Sequence, residues 1–124
     1  MSKSYTPERN DIIWLDFEPT KGKEIGKFRP ALVLSSLEYN KKTGLLICCP
    51  ISSSVRGGPT EVAIDNLDTP SVAAASIIQT LSWKDRKATF IAKANNGVMD
   101  DVLMRLIPLI GADKLIENIV NKNQ

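Results

Sequence analysis

Short apolar runs, punctuated by turn-forming residues, fill most of this chain, and a helical period replaces them near its end. Residues 11–17 (DIIWLDF) are rich in β-branched and aromatic types and predict a strand ended by Pro19. Residues 31–34 (ALVL) predict a short buried strand, with Pro30 biasing Arg29 toward extended geometry. A third strand is expected over 45–49 (LLICC), stopped by Pro50. Residues 61–65 (EVAID) alternate like an exposed strand, 74–82 (AASIIQTLS) read as one further strand, and 88–92 as a short last one. Between them lie a loop at 20–28 with two glycines, a turn at 39–44 with Gly44 as its positive-φ residue, a polar loop at 52–59 and a polar turn at 83–86. After Asn96 the period changes. Val102, Leu103, Leu106, Ile107 and Ile110 recur at three- and four-residue spacing and predict one buried helical face, capped by Asn96 or Asp100 and stopped by Gly111. Leu115, Ile116, Ile119 and Val120 predict a second short amphipathic helix before a polar tail. No repeat or linker divides the chain. Strands first and helices last predict a small, mainly antiparallel β structure with packed C-terminal helices.

Composition narrows the chemistry. At 124 residues, 43% hydrophobic and 24% charged, the chain reads as one globular domain, neither disordered nor fibrous. No run approaches the ~20 apolar residues that span a bilayer, and Met1–Asn10 carries no secretory apolar segment, so the expected compartment is the cytosol. There is no histidine, which excludes an imidazole base, a Ser-His-Asp or Cys-His nucleophile and histidine metal ligation. Cys48 and Cys49 are adjacent in a predicted strand and should point to opposite faces. They read as reduced core residues rather than as a disulfide or a shared metal site.

Net charge is only +2, yet between Thr20 and Thr60 seven basic residues (Lys21, Lys23, Lys27, Arg29, Lys41, Lys42, Arg56) face two acidic ones (Glu24, Glu38). A local positive field of this kind can hold phosphates without a basic protein, although a solvated loop face gives the same pattern. If the first three strands are antiparallel neighbours, the loops at 20–29 and 52–59 converge. Lys21, Lys23, Glu24, Lys27, Arg29, Ser52, Ser53, Ser54 and Arg56 then surround one surface. Cations, hydroxyls and a carboxylate suit a phosphodiester.

The same residues carry a family resemblance. Asp11-Ile-Ile-Trp-Leu-Asp-Phe17, Pro19-Thr-Lys-Gly22, Glu24, Arg29-Pro-Ala-Leu-Val-Leu-Ser35, Tyr39-Asn40, Thr43-Gly44 and Cys49-Pro50 closely resemble the MazF/PemK toxins of bacterial toxin–antitoxin modules. A weaker match runs through Gly58-Pro59, Glu61-Val62, Trp83 and Ala88-Thr89 to about Gly111. The resemblance implies a small SH3-like, CcdB-like β-barrel with helices over a core of about 9–111, with 112–124 an extra helix and tail. It implies a homodimer acting as a metal-independent, cofactor-free endoribonuclease on single-stranded RNA or mRNA, blocked by a cognate acidic, MazE-like antitoxin.

Carried over position by position, Arg29 falls on the family's catalytic arginine, a permanent cation able to fork across two phosphate oxygens. Ser52 stands where many members have threonine and keeps the hydroxyl. Glu24 falls on a motif carboxylate that either accepts the 2′-hydroxyl proton, orients Arg29 or reads a base. Lys21, Lys23, Lys27 and Arg56 would position the RNA backbone, with Ser53 as a second hydroxyl. Phe28 either stacks a base or anchors its loop, and Gln79 and Thr80 could contact bases. Trp14 reads as a core or dimer-contact residue. One departure stands out: the family's Asp-Gln pair before the tryptophan turn falls here on Ser76-Ile77. Activity would then rest on Arg29 and Ser52. A non-catalytic RNA- or protein-binding module of the same fold, like the gyrase-inhibiting relatives, is the alternative.

Overall fold

The computed structural model describes residues 4–123; Met1–Lys3, part of the predicted polar N-terminus, and Gln124, the end of the predicted tail, lie outside the described residues. Strands β1 (Asp11–Asp16), β2 (Phe28–Val33), β3 (Leu45–Ser52), β4 (Glu61–Ile64), β5 (Ser71–Ala74), β6 (Gln79–Ser82) and β7 (Thr89–Lys93) build one antiparallel sheet. Its order is β4-β5-β3-β2-β1-β7, and β6 pairs with the first half of β3. The sheet curls into a half-barrel. Helix α1 (Leu37–Thr43) joins β2 to β3, and α2 (Val98–Leu109) and α3 (Ala112–Lys122) close the chain.

Both faces of the central strands are buried, each over its own apolar cluster. Ile12, Leu32, Cys49 and Ile51 point to one face, where β4, β5 and the Val98, Val102 and Leu106 side of α2 cover them. Ile13, Leu15, Ala31, Val33, Leu46 and Cys48 point to the other. The alternation of the pleat thus separates the two cysteines as expected; both are buried and unpaired.

Several boundaries differ from those predicted. Residues 39–44 are the end of a helix: Ser36 caps it by accepting the Tyr39 N–H at 3.2 Å, and Gly44, at φ 73°, terminates it. Asn40, fully buried in α1, donates to the Pro7 carbonyl at 2.8 Å and accepts from the Ser35 hydroxyl at 2.5 Å. Pro50 does not stop β3. Pairing with β6 ends at Cys48 and pairing with β5 begins at Ile51, so Pro50 sits in the gap between two partners where its missing N–H costs nothing. The single strand expected over 74–82 is two, β5 and β6, separated by a turn in which Ile77 N–H bonds the Ala74 carbonyl at 3.0 Å. Gly97, rather than Asn96 or Asp100, begins α2. Of the five apolar positions expected on its buried face only Val102 and Leu106 are fully inside; Leu103 and Ile110 are exposed. In α3 the apolar stripe exists, but no residue of it is buried.

Candidate active site

Arg29 lies near the start of β2, and Ser52 ends β3. The two strands pair with Ala31 opposite Pro50. The β2–β3 pairing ends there, and Ser52 pairs with Val72 of β5; by alternation Arg29 keeps the face of Ala31 and Ser52 that of Pro50, so both belong to the same face of adjacent strands. The Arg29 side chain is half-buried at the barrel's rim, and its Nε–H donates to the Gly26 carbonyl at 2.6 Å. The Ser52 hydroxyl accepts the Ser54 N–H at 3.0 Å, a local turn that starts the 52–59 loop while leaving the O–H free to donate.

Beside this pair opens a groove of about 740 Å³. Lys27, Phe28, Arg29 and Ser53 line it on one side, with Trp14, Ile51 and Ile91 along the floor. Asn66, Asp68, Thr69 and Ser71 form the opposite wall, which the sequence reading did not anticipate; this stretch reads as an ordinary polar connection, and only the β4–β5 hairpin brings it here. Trp14 is not a core residue. It alternates onto the face of Ile12 at a point where the core has ended, is 39% exposed, and stacks on Phe28, itself 50% exposed, with ring centroids 5.5 Å apart and planes 9° from parallel. The two rings form a flat aromatic ledge on the Ile12 and Leu32 face of the sheet, whereas Arg29, paired with Leu15, alternates onto the other face.

The loop between β1 and β2 carries the remaining cations. Glu24 closes a turn inside it: its carboxylate accepts the Lys21 N–H at 2.5 Å and its own N–H donates to the Lys21 carbonyl at 3.1 Å. It makes no hydrogen bond to Arg29, whose Nε–H is held by the Gly26 carbonyl instead. Lys21, Lys23 and Lys27 are exposed. Lys27 has φ 71°, in the left-handed region that side chains avoid. Glu61, at the start of β4, shapes the 52–59 loop. Its carboxylate accepts from the backbone N–H groups of Arg56, Gly57 and Gly58 at 3.1, 2.7 and 3.2 Å, which displays the exposed Arg56 side chain.

Some expected members stand apart. Gln79 pairs opposite Cys48, away from the groove, with its Nε2 buried and unpartnered. Ser76 and Ile77 occupy the β5–β6 turn, where the Ser76 and Thr60 hydroxyls approach to 3.4 Å. Lys41 and Lys42 ride on α1, beyond the far end of β2, so the basic stretch does not form one surface. Lys41 instead joins Lys84 and Lys87 around Trp83.

Comparison with known proteins decides what this arrangement belongs to. Residues 8–110 match the family described as PemK-like, MazF-like toxin of type II toxin–antitoxin systems. The chain belongs to this family. The MazF endoribonuclease toxin of Escherichia coli K12 is 42% identical over 89 residues, covering 72% of this chain and 80% of that protein. The crystal structure of MazF from Deinococcus radiodurans superposes with a TM-score of 0.84 at 38% identity, over 87% of this chain and 99% of that one. A MazE–MazF complex from the same organism gives 0.76 at 36% identity, covering 87% and 98%. The PemK/MazF match ends where α2 ends, so α3 lies outside it.

Proposed function

We propose that this PemK/MazF-family toxin is an endoribonuclease that cuts single-stranded RNA by internal transesterification. The family membership, together with Arg29 and Ser52 on the same face of the adjacent strands β2 and β3, carries the reading. The 2′-oxygen attacks the adjacent phosphorus, a new P–O2′ bond forms and the P–O5′ bond breaks. The products are a 2′,3′-cyclic phosphate and a 5′-hydroxyl. Arg29 and Ser52 hold the non-bridging oxygens, and Arg29 stabilises the charge that grows on them, an effect of about 3–4 kcal/mol for one preorganised donor. Glu24 supplies a carboxylate that takes the 2′-hydroxyl proton once the loop releases it from the Lys21 N–H, and the departing O5′ takes a proton from solvent water, so that the proton count balances. Lys21, Lys23, Lys27 and Arg56 draw the backbone in, Ser53 adds a donor on the groove wall, and the Trp14–Phe28 ledge stacks a base, a contact worth about 1–3 kcal/mol. We assign Gln79 no direct contact.

The relatives crystallised as MazE–MazF complexes point to an antitoxin for this chain as well, and we infer that an acidic segment of it lies over the basic loops and blocks the groove. We also infer a homodimer, and action in the cytoplasm, where the RNA is. No helix among the described residues is long and apolar enough to cross a membrane.

A fluorogenic single-stranded RNA tests the nuclease reading. Purified protein should cleave it in the presence of EDTA, leave a version with 2′-deoxy sugars intact, and lose at least about 100-fold in rate as Arg29→Ala. Cleavage of the deoxy substrate, or unaltered turnover by Arg29→Ala, would overturn it.

A further inference from the structure

The direction of the Arg29 guanidinium is not set by its strand alone. Its Nε–H donates to the carbonyl of Gly26 at 2.6 Å, so the guanidinium goes where that carbonyl points. The Gly26 carbonyl and the Lys27 N–H belong to one planar peptide unit and cannot turn independently. The Lys27 N–H is gripped at its own end: it donates to the Glu18 carboxylate at 2.6 Å. One rigid plate is thus held by Glu18 on one side and holds Arg29 on the other. Accepting the N–H with a full negative charge also polarises the plate and strengthens its carbonyl as an acceptor for Arg29.

Two further contacts show that the grip is built in. A Cβ at Gly26 would overlap the Glu18 carboxylate and approach the Thr20 hydroxyl to 3.0 Å, so a side chain there would push Glu18 off the Lys27 N–H. The backbone of Glu18 is itself anchored from the β6–β7 turn. Arg86 Nη1 donates to the carbonyls of Asp16 and Glu18 at 3.0 and 2.9 Å, and the Arg86 carbonyl accepts the Asp16 N–H at 3.0 Å. The Lys27 carbonyl accepts the Phe17 N–H at 3.0 Å, which ties the two ends of the loop together.

We propose that Glu18, seated by Arg86, is a positioning residue that aims Arg29 through the Gly26–Lys27 peptide. The inference rests on the nuclease reading above. It goes beyond it in placing control of the guanidinium on an exposed carboxylate that forms neither a hydrogen bond nor an ion pair with Arg29.

Glu18→Ala and Glu18→Gln separate the hydrogen bond from the charge, since both remove the charge and only glutamine retains an acceptor for the Lys27 N–H. Glu18→Ala should lower kcat about tenfold with little change in KM, and Glu18→Gln should restore kcat to within about twofold. Gly26→Ala should lower kcat in the parent protein and cost much less in the Glu18→Ala background, because the overlapping carboxylate is gone. The Arg29 Nε–H resonance in NMR, slow to exchange in the parent and in Glu18→Gln, should exchange quickly in Glu18→Ala. Equal loss in the alanine and glutamine variants, or an Arg29 Nε–H still protected in Glu18→Ala, overturns the proposal. If the parent protein fails to cut RNA, the nuclease reading falls, and the exchange of Arg29 Nε–H still decides whether Glu18 aims it.

Discussion

Lys27 combines a strained backbone with a useful charge. Its φ of 71° puts Cβ against the neighbouring carbonyl, a cost of about 1–2 kcal/mol for an L-residue. Glycine would remove that cost and lose about 0.5–1 kcal/mol to its freer unfolded chain. The two backbone hydrogen bonds of Lys27, to the Glu18 carboxylate and from the Phe17 N–H, do not involve its side chain and survive the change. Lys27→Gly is therefore expected to leave the melting temperature unchanged or slightly raised. RNA binding should weaken in the same variant. The slope of log affinity against log salt should fall by about 0.7, the value for one phosphate contact on a single strand. Calorimetry and a salt series of fluorescence-anisotropy titrations measure both quantities. A lower melting temperature with an unchanged salt slope would mean that the ammonium group serves the fold and not the RNA.

At the scale of elements, the site depends on two loops held in different ways. The 52–59 loop hangs on Glu61, whose carboxylate gathers three consecutive backbone N–H groups. The Arg56 and Gly57 groups are exposed and the Gly58 group partly so, and they find water when the carboxylate is removed, so Glu61→Ala should cost only about 1 kcal/mol of stability. It should greatly speed hydrogen exchange at Arg56, Gly57 and Gly58, and raise KM for RNA more than it lowers kcat. Unchanged exchange at these amides would show that the loop is ordered by something else. The loops themselves were legible in the chain, because glycine, proline and charge mark them. So was the placement of Arg29 and Ser52 on adjacent antiparallel strands, β2 and β3. The groove's far wall was not, since Asn66 to Ser71 carries no signal of its own and is brought over by hairpin geometry. Of the two readings of Trp14, core and dimer contact, the core one fails for a related reason. Alternation gives the face of a residue but not how far along that face the core extends. Pro50 and the Tyr39–Gly44 segment show local signals overruled by context: a break between two strand partners in one case, a serine cap three residues upstream in the other.

Across the whole molecule, a sheet buried on both faces has a consequence for pH. Burial pushes the Cys49 thiol up to about 12. Burial, reinforced by the neighbouring Cys49 and partly opposed by Arg86, pushes the Cys48 thiol up as well. The Tyr5 phenol is raised, first by burial and then by its hydrogen bond to Asp11, at 2.6 Å. The Lys93 ammonium is raised chiefly by its bond to the Asp11 carboxylate, 2.5 Å away, with burial acting against it. All four shifts have the same sign: the folded chain keeps protons that the unfolded chain would release. Their stabilising contribution is complete below the unfolded pKa values and is lost as pH rises. The thiols come first, because an unfolded cysteine ionises near ~8.5 and tyrosine and lysine only near ~10. Above that point each fully buried thiol removes up to about 1.4 kcal/mol of stability per pH unit, until the folded protein also ionises. Stability should therefore be flat from pH 7 to about 8 and fall steeply by pH 10. Replacing both cysteines with alanine creates small cavities and lowers stability at pH 7, yet it should flatten the first part of that fall. Urea midpoints of the parent and the double variant at half-unit steps from pH 7 to 10.5 would show this as two curves converging with rising pH. Parallel curves would mean that the thiols ionise in the folded state, and that the two faces of the sheet are wetter than their packing indicates.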